Sequence, residues 1–175
     1  MNLNSKVRGL AKFPEITKEL VKVLLEKDVG IIQMTCPEFT LLGEARWGQC
    51  VDQYNNPYFR RHCREISEPI ADQVEEYLAN QYQVCGVIGI DGSPSCGVNL
   101  TCRGDWGGEM SANPNLQKQL ETLQMVKEPG ALIRELQKIL RDRGIKLPFL
   151  GFPEEADLDE QQKKEFFQAL NKFIS

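Results

Sequence analysis

The sequence predicts an α/β fold with one small, open, parallel sheet flanked by helices on both faces, the doubly wound manner of Rossmann and flavodoxin-like domains. Two observations carry this. Short apolar runs rich in β-branched residues alternate with stretches of helical periodicity, the pattern of successive β-α-β units. The chain has 175 residues, the length of one ordinary domain, and a fold of that size buries roughly 70% of its unfolded surface. No internal repeat, low-complexity tract or composition break divides it, so residues 1–175 are read as a single domain.

The elements follow in order. Residues 14–27 have amphipathic helical spacing at Ile16, Leu20, Val23, Leu24 and Lys27, with Pro14 in the first turn. Residues 29–35 form a short β-branched run bounded by Gly30 and Pro37, read as a buried strand. Residues 39–57 mix glycine and aromatic residues and read as a long loop, a length usually reserved for function. A helix is expected over residues 58–80, with Ile66, Ile70, Val74, Tyr77 and Leu78 on one stripe and Pro69 kinking or dividing it. Residues 84–90 read as a second buried strand, followed by the loop Asp91-Gly-Ser-Pro-Ser-Cys96. Residues 110–128 are polar and weakly helical. Residues 130–143 form a clear helix on Leu132, Leu136, Ile139 and Leu140, capped by Gly144. Residues 145–150 read as a third strand and residues 159–174 as a last helix.

Three strands make a thin sheet, and a doubly wound domain begins with a strand before its first helix. The expectation is that this first strand is missing from the chain, or that a strand lies in the polar stretch after Cys102.

Composition excludes several classes. The chain is 41% hydrophobic and 26% charged, and its 21 basic and 25 acidic residues leave a net charge of −4. That balance argues against a dedicated nucleic-acid binder. No apolar run approaches the roughly 20 residues of a membrane span. The first residues lack the apolar core of a signal peptide. The expected compartment is the cytoplasm, where thiols stay reduced.

The chemistry then falls on cysteine. Ligands of an open parallel sheet bind outside the carboxyl ends of its strands, and Cys36 and Cys96 each directly follow an expected strand. Parallel strands would bring both thiols to one edge. The ordinary alternative is that each merely packs at a strand end. The cysteines at 36, 50, 63, 85, 96 and 102 are spaced by 14, 13, 22, 11 and 6 residues, so none forms the CxxC hook of a zinc ribbon. A cysteine phosphatase needs arginine six residues after its thiol. Leu42 and Cys102 stand there, with Arg103 one place late. A histidine-activated thiol has only His62 to serve it. An iron–sulfur cluster takes thiolates from separate loops and needs no histidine, but it needs a third ligand, from Cys50, Cys102 or outside the chain.

Cys36-Pro-Glu38 and Ser93-Pro-Ser-Cys-Gly97 resemble the paired motifs of the thiouracil desulfidase family. A narrower branch of related desulfidases is suggested by Gln33-Met-Thr-Cys-Pro-Glu38, Arg46-Trp-Gly48, Tyr58-Phe-Arg-Arg-His-Cys-Arg64 and Asp91-Gly-Ser-Pro-Ser-Cys-Gly-Val-Asn-Leu-Thr-Cys102. The resemblance covers residues 2–109, while residues 110–175 carry little signature. It implies a four-iron, four-sulfur cluster on three cysteines with one iron open. Two of these would be Cys36 and Cys96. The third family cysteine would fall just before Met1, in agreement with the missing first strand. The implied substrate is a thiolated heterocycle such as thiouracil.

On this reading Glu38 is the candidate acid–base group, and Ser93 orients substrate or water. A loop carboxylate or a serine before proline also caps backbone amides with no further role. Ser95, Trp47 and Trp106 are candidate substrate contacts, each tryptophan lying near an arginine (Arg46, Arg103); indoles also simply plug loops. Arg60, Arg61, His62 and Arg64 would attract an anion or form a solvated helix face. Cys63 and Cys85 read as structural. A second copy of the chain is a possible partner. The alternative functions are a non-catalytic thiol or metal-binding or redox-sensing protein and, third, a cysteine-nucleophile hydrolase.

Overall fold

In the computed structural model, which describes Val7, residues 14–153 and residues 160–175, the chain runs α1 (Pro14–Glu26), α2 (Pro37–Leu42), α3 (Val51–Tyr54), α4 (Pro57–Ala79), β1 (Val87–Asp91), β2 (Thr101–Arg103), α5 (Leu116–Glu121), β3 (Gln124–Val126), α6 (Ala131–Asp142), β4 (Phe149–Pro153) and α7 (Glu160–Phe173). The segment 2–9 quoted in the family resemblance, apart from Val7, lies outside the described residues, as do the side chain of Ile16 and Asp159.

The expected α/β architecture is present. β1 and β4 pair in parallel from Val87 opposite Phe149 to Asp91 opposite Pro153. Side chains alternate across this sheet with the two-residue strand period. Ile88, Leu150 and Phe152 face α1 and α7, packing with Leu20, Leu24, Phe166 and Leu170. Val87 and Phe149 face α4 and α6, against Ala71, Val74, Leu136, Ile139 and Leu140. Helices therefore cover both faces. Among the described residues no helix is long and apolar enough to cross a membrane.

Several boundaries differ from expectation, each for a physical reason. Residues 29–35 form no helix and join no ladder among the described residues, and Ile31 and Ile32 are 49% and 43% exposed. Val29 is anchored among α1 and α7 and Met34 among α4 and α6, so the run straps two layers together instead of pairing. The later strands start at Val87 and Phe149, because Val84, Ile145 and Leu147 are used against α4 and α6 before the chain enters the sheet. The long loop holds two short helices, α2 and α3. Pro69 does not divide α4. Asn56 caps that helix, its Oδ1 accepting from the Phe59 amide at 2.9 Å with Pro57 in the first turn. After α6, Gly144 adopts φ +71°, and the Ile145 amide reaches back to the Leu140 carbonyl at 2.8 Å. A strand does lie in the polar stretch after Cys102: β3 pairs antiparallel with β2, Cys102 opposite Met125, in a separate two-stranded sheet.

Candidate functional site

The site grows from the loop that leaves β1. Its turns close with the Gly97 amide donating to the Ser93 carbonyl at 3.1 Å and the Ile90 amide to the Cys96 carbonyl at 3.0 Å. The first amides of α6, which have no partner within their own helix, donate to this loop: Ala131 to the Pro94 carbonyl and Leu132 to the Ser95 carbonyl, both at 3.0 Å. Gly97 is required by that closeness, since a Cβ there would stand 2.1 Å from the Leu100 carbonyl oxygen. Asp91 fixes the far side, its Oδ1 accepting from the amides of Val98 at 2.9 Å and Asn99 at 2.7 Å. The loop that carries Cys96 is held by its own turn, by the first amides of α6 and by the Asp91 carboxylate.

The second loop meets it from the strap. Cys36 is the N-cap of α2, and its Sγ accepts from the Phe39 amide at 3.4 Å. Pro37 takes the first helical position, where a missing amide costs nothing. Glu38 follows and points inward. It is buried, and each oxygen has a partner: Oε1 accepts from the Ser95 hydroxyl at 2.5 Å, and Oε2 accepts from the Tyr54 hydroxyl at 3.3 Å and lies 3.5 Å from Arg46 Nε. Arg46 is equally buried and also donates from Nη1 to the Gly43 carbonyl at 3.1 Å. A buried carboxylate is tolerable only when so paired. Burial first, then Glu38 beside it, pushes the Tyr54 phenol far above its ordinary range, so Tyr54 stays a donor.

Through Glu38 the two thiols are drawn together. Ser95, bound to Glu38, also lies 3.4 Å from Cys96 Sγ. Burial pushes both the Cys36 and the Cys96 thiol up, and each feels Glu38; Phe39's amide and the Ser95 hydroxyl pull back only partly. Cys63 of α4 joins this group: it is fully buried, and its thiol is raised by burial and then by Cys96. Cys96 packs against the cluster of Tyr54, Phe59, Cys63, Ala131 and Leu132. Nothing in the sequence pattern marks Cys63, because a cysteine on a helical stripe reads as core.

These raised groups make stability depend on alkali. The folded state holds protons that the unfolded chain releases above about pH 8.5. The contribution is therefore full below that pH and is lost as pH rises toward the folded values. The urea midpoint is expected to fall between pH 7 and pH 10, and a constant midpoint would contradict this assignment of Cys36, Tyr54, Cys63 and Cys96.

The other candidates are placed as follows. Ser93 Oγ accepts from the amides of Cys96 at 3.0 Å and Ser95 at 3.3 Å, so it shapes the turn, while Ser95 makes the contact with Glu38. Cys50 and Cys102 belong to another junction, between α3 and β2. Cys50 Sγ donates to the Gly104 carbonyl at 3.4 Å, and burial followed by Cys50 raises the Cys102 thiol. His62 Nε2 lies 2.7 Å from Thr40 Oγ1, which gives its ring a hydroxyl partner and leaves the hydrolase reading without a base seated on a thiol. Cys85 precedes β1 instead of lying within it. Arg60 donates to Asn55, Arg64 to Glu68, and Arg61 stands over the Tyr58 ring, the pattern of a locally paired solvent face. Arg103 is engaged by Asp52 and Glu128, and Arg46 lies beside Glu38. Trp47 and Trp106 line one cavity.

Among the described residues no three His, Cys, Asp or Glu side chains are placed to hold a metal ion. The three-cysteine ligand set implied by the resemblance is thus not completed by Cys36 and Cys96 with any described third donor.

The fold is α/β, with a buried carboxylate, Glu38, beside the two loops that carry Cys36 and Cys96. The chain is 36% identical over 98 residues to an uncharacterized protein of Methanocaldococcus jannaschii, a match covering 56% of this chain and 62% of that relative. The chain therefore spans less than two thirds of the length of the curated relative it matches. No family model and no solved structure matches.

Proposed function

We propose that the protein removes sulfur from a thiolated heterocycle, a desulfidase reading that rests on one observation above the rest: a buried carboxylate, Glu38, sits between the two loops that carry Cys36 and Cys96 and is hydrogen-bonded to Ser95 beside Cys96. The iron–sulfur cluster implied by the motif resemblance belongs to this proposal only as a possible occupant, since the described donors do not complete its ligands. The proton chemistry rests on the protein's own groups.

Exchange of C=S for C=O consumes one water and releases hydrogen sulfide. A C–O bond forms, the C–S bond breaks, and both protons of the water end on sulfur, with no change of oxidation state. Glu38 takes the first proton as water adds to the thiocarbonyl carbon and returns it to the departing sulfur. It takes the second as the carbonyl forms and passes it to the departing hydrosulfide, which leaves as hydrogen sulfide with Glu38 again a carboxylate. Ser95, Tyr54 and Arg46 hold the carboxylate in one orientation throughout, which is the preorganisation such transfers need. Ser93 positions Ser95 through the loop turn. A redox-sensing role is less well supported, because sensor thiols are exposed and low in pKa, whereas Cys36 is buried and both thiols are raised.

The test is conversion of 2-thiouracil to uracil with release of sulfide, followed under anaerobic conditions with no sulfide added. Glu38→Gln keeps the side chain's shape and is expected to lower kcat by about 100-fold or more. Release that is unchanged in Glu38→Gln, or absent from the parent protein, overturns the reading.

A further inference from the structure

One cavity takes none of its lining from Glu38, Cys36 or Cys96. It measures about 130 Å³, and Trp47, Trp106, Gln49, Gln53, Met110 and Leu116 line it. That volume is far below the roughly 300–1,000 Å³ of pockets for drug-sized ligands, so it has room for one small group. Its walls are held in place. Trp106 Nε1 donates to the Gly48 carbonyl at 3.1 Å, which ties together the two segments that form the cavity. Gln53 Oε1 accepts from the Cys50 amide at 2.9 Å. An indole has a single donor, so with its N–H bound Trp106 offers a ligand only its π face.

Charge then selects what the cavity takes. No charged side chain is among the lining residues. Segments 47–53 and 105–116, which supply the lining, carry Asp52, Asp105 and Glu109 and no Lys or Arg. Asp52 is paired with Arg103. Glu109 accepts from the Ser111 hydroxyl at 2.7 Å and from the amides of Ser111 and Ala112, which hold its carboxyl below the usual range. The surroundings are negative and favour a cation over an anion. Indole faces favour a cation too, through the negative face of the ring. A primary ammonium or a guanidinium would leave N–H groups in need of acceptors, and no carboxylate lines the cavity. A quaternary ammonium has no N–H and needs none. Its methyl groups suit the apolar faces and the soft thioether of Met110.

We infer that this cavity is a binding site for the quaternary ammonium group of a small free solute, held against the faces of Trp47 and Trp106. The inference goes beyond the desulfidase reading and does not depend on it. A lipid head group is a poorer source of the same cation, because its phosphate would enter negative surroundings with no cation in the lining to meet it.

The test is calorimetric titration of the full chain with choline, with phosphocholine, and with dimethylbutanol, the uncharged analogue of choline that has carbon in place of nitrogen. Choline is expected to bind about tenfold more tightly than the uncharged analogue, and phosphocholine more weakly than choline. Trp47→Ala is expected to weaken choline binding about fivefold or more, whereas Trp47→Phe, which keeps a π face, retains most of the affinity. Trp47 is 68% exposed, so its replacement leaves the core intact. The inference is overturned if the parent protein does not bind choline, binds it no better than the uncharged analogue, or binds it no better than Trp47→Ala does. Phosphocholine bound as tightly as choline overturns the assignment to a free solute.

Discussion

Replacing Glu38 by alanine is expected to destabilise the protein by about 3–5 kcal/mol, the usual result of removing one partner of a buried ion pair. Arg46 is buried on the other side of the pair, and without Glu38 its charge would stay in the interior with that carboxylate gone. The hydroxyls of Ser95 and Tyr54 would lose their acceptor as well, and each unsatisfied buried group adds its own desolvation cost. Glu38→Gln should lose less, because the amide oxygen still accepts one of those hydrogen bonds. The pair itself is separable from its surroundings by a double-mutant cycle: Glu38→Ala combined with Arg46→Met should recover part of the loss, since the buried cation is gone as well. Urea denaturation of the four proteins measures this. A loss below about 1 kcal/mol for Glu38→Ala, the range of exposed pairs, would mean that the carboxylate is solvated and the network does not exist as described.

Phe59→Ala is the second large effect, expected at about 3–5 kcal/mol. Phe59 is fully buried at the start of α4, and its ring stacks on Tyr54 with centroids 4.2 Å apart and planes 15° from parallel. It also packs with Cys63, Ala131 and Leu132. Truncation leaves a cavity where α3, α4 and α6 meet, and the neighbours collapse only in part. Phe59→Leu fills most of that space and should cost markedly less. The variant also links packing to chemistry. Tyr54 would lose the ring that holds its orientation, so its hydrogen bond to Glu38 would loosen, and sulfide release should fall more than in a core variant of equal stability placed elsewhere. Leu170→Ala, in the core on the opposite face of the sheet, provides that comparison. Equal activity in the two variants at equal stability would show that the stacked pair does not position Glu38.

How much of this was legible in the sequence follows from what each residue depends on. The amphipathic helices could be read because their buried faces are periodic: Leu132, Leu136, Ile139 and Leu140 are all buried on α6. Cys36 and Cys96 are expected at one sheet edge because each follows an apolar β-branched run; the structure places Cys36 at the start of α2, after a run that joins no ladder among the described residues, and Cys96 in the loop that leaves β1. Strand boundaries slipped for one reason: an apolar β-branched run does not tell whether its first residues pair or pack. Val84, Ile145 and Leu147 pack. Ser93 and Ser95 are two residues apart in one turn, and only the fold tells which hydroxyl faces Glu38. Cys63 was invisible as a neighbour of Cys96, because that proximity comes from α4 crossing the loop at long sequence separation. Sequence proximity sets Arg46 next to Trp47 and Arg103 near Trp106, but it does not show which carboxylates the guanidinium groups meet: Glu38 for Arg46, Asp52 and Glu128 for Arg103.

The account's central claim is that Cys36 and Cys96 belong to a single site that receives a thiolated ring. The most direct measurement is the rate of iodoacetamide alkylation at each cysteine, followed by peptide mass spectrometry, with and without 2-thiouracil. Both thiols are raised by burial, so both should react more slowly than free cysteine at neutral pH. The account predicts that 2-thiouracil slows Cys36 and Cys96 together and leaves Cys85 unchanged. Protection of only one of the pair, or of neither, would contradict it.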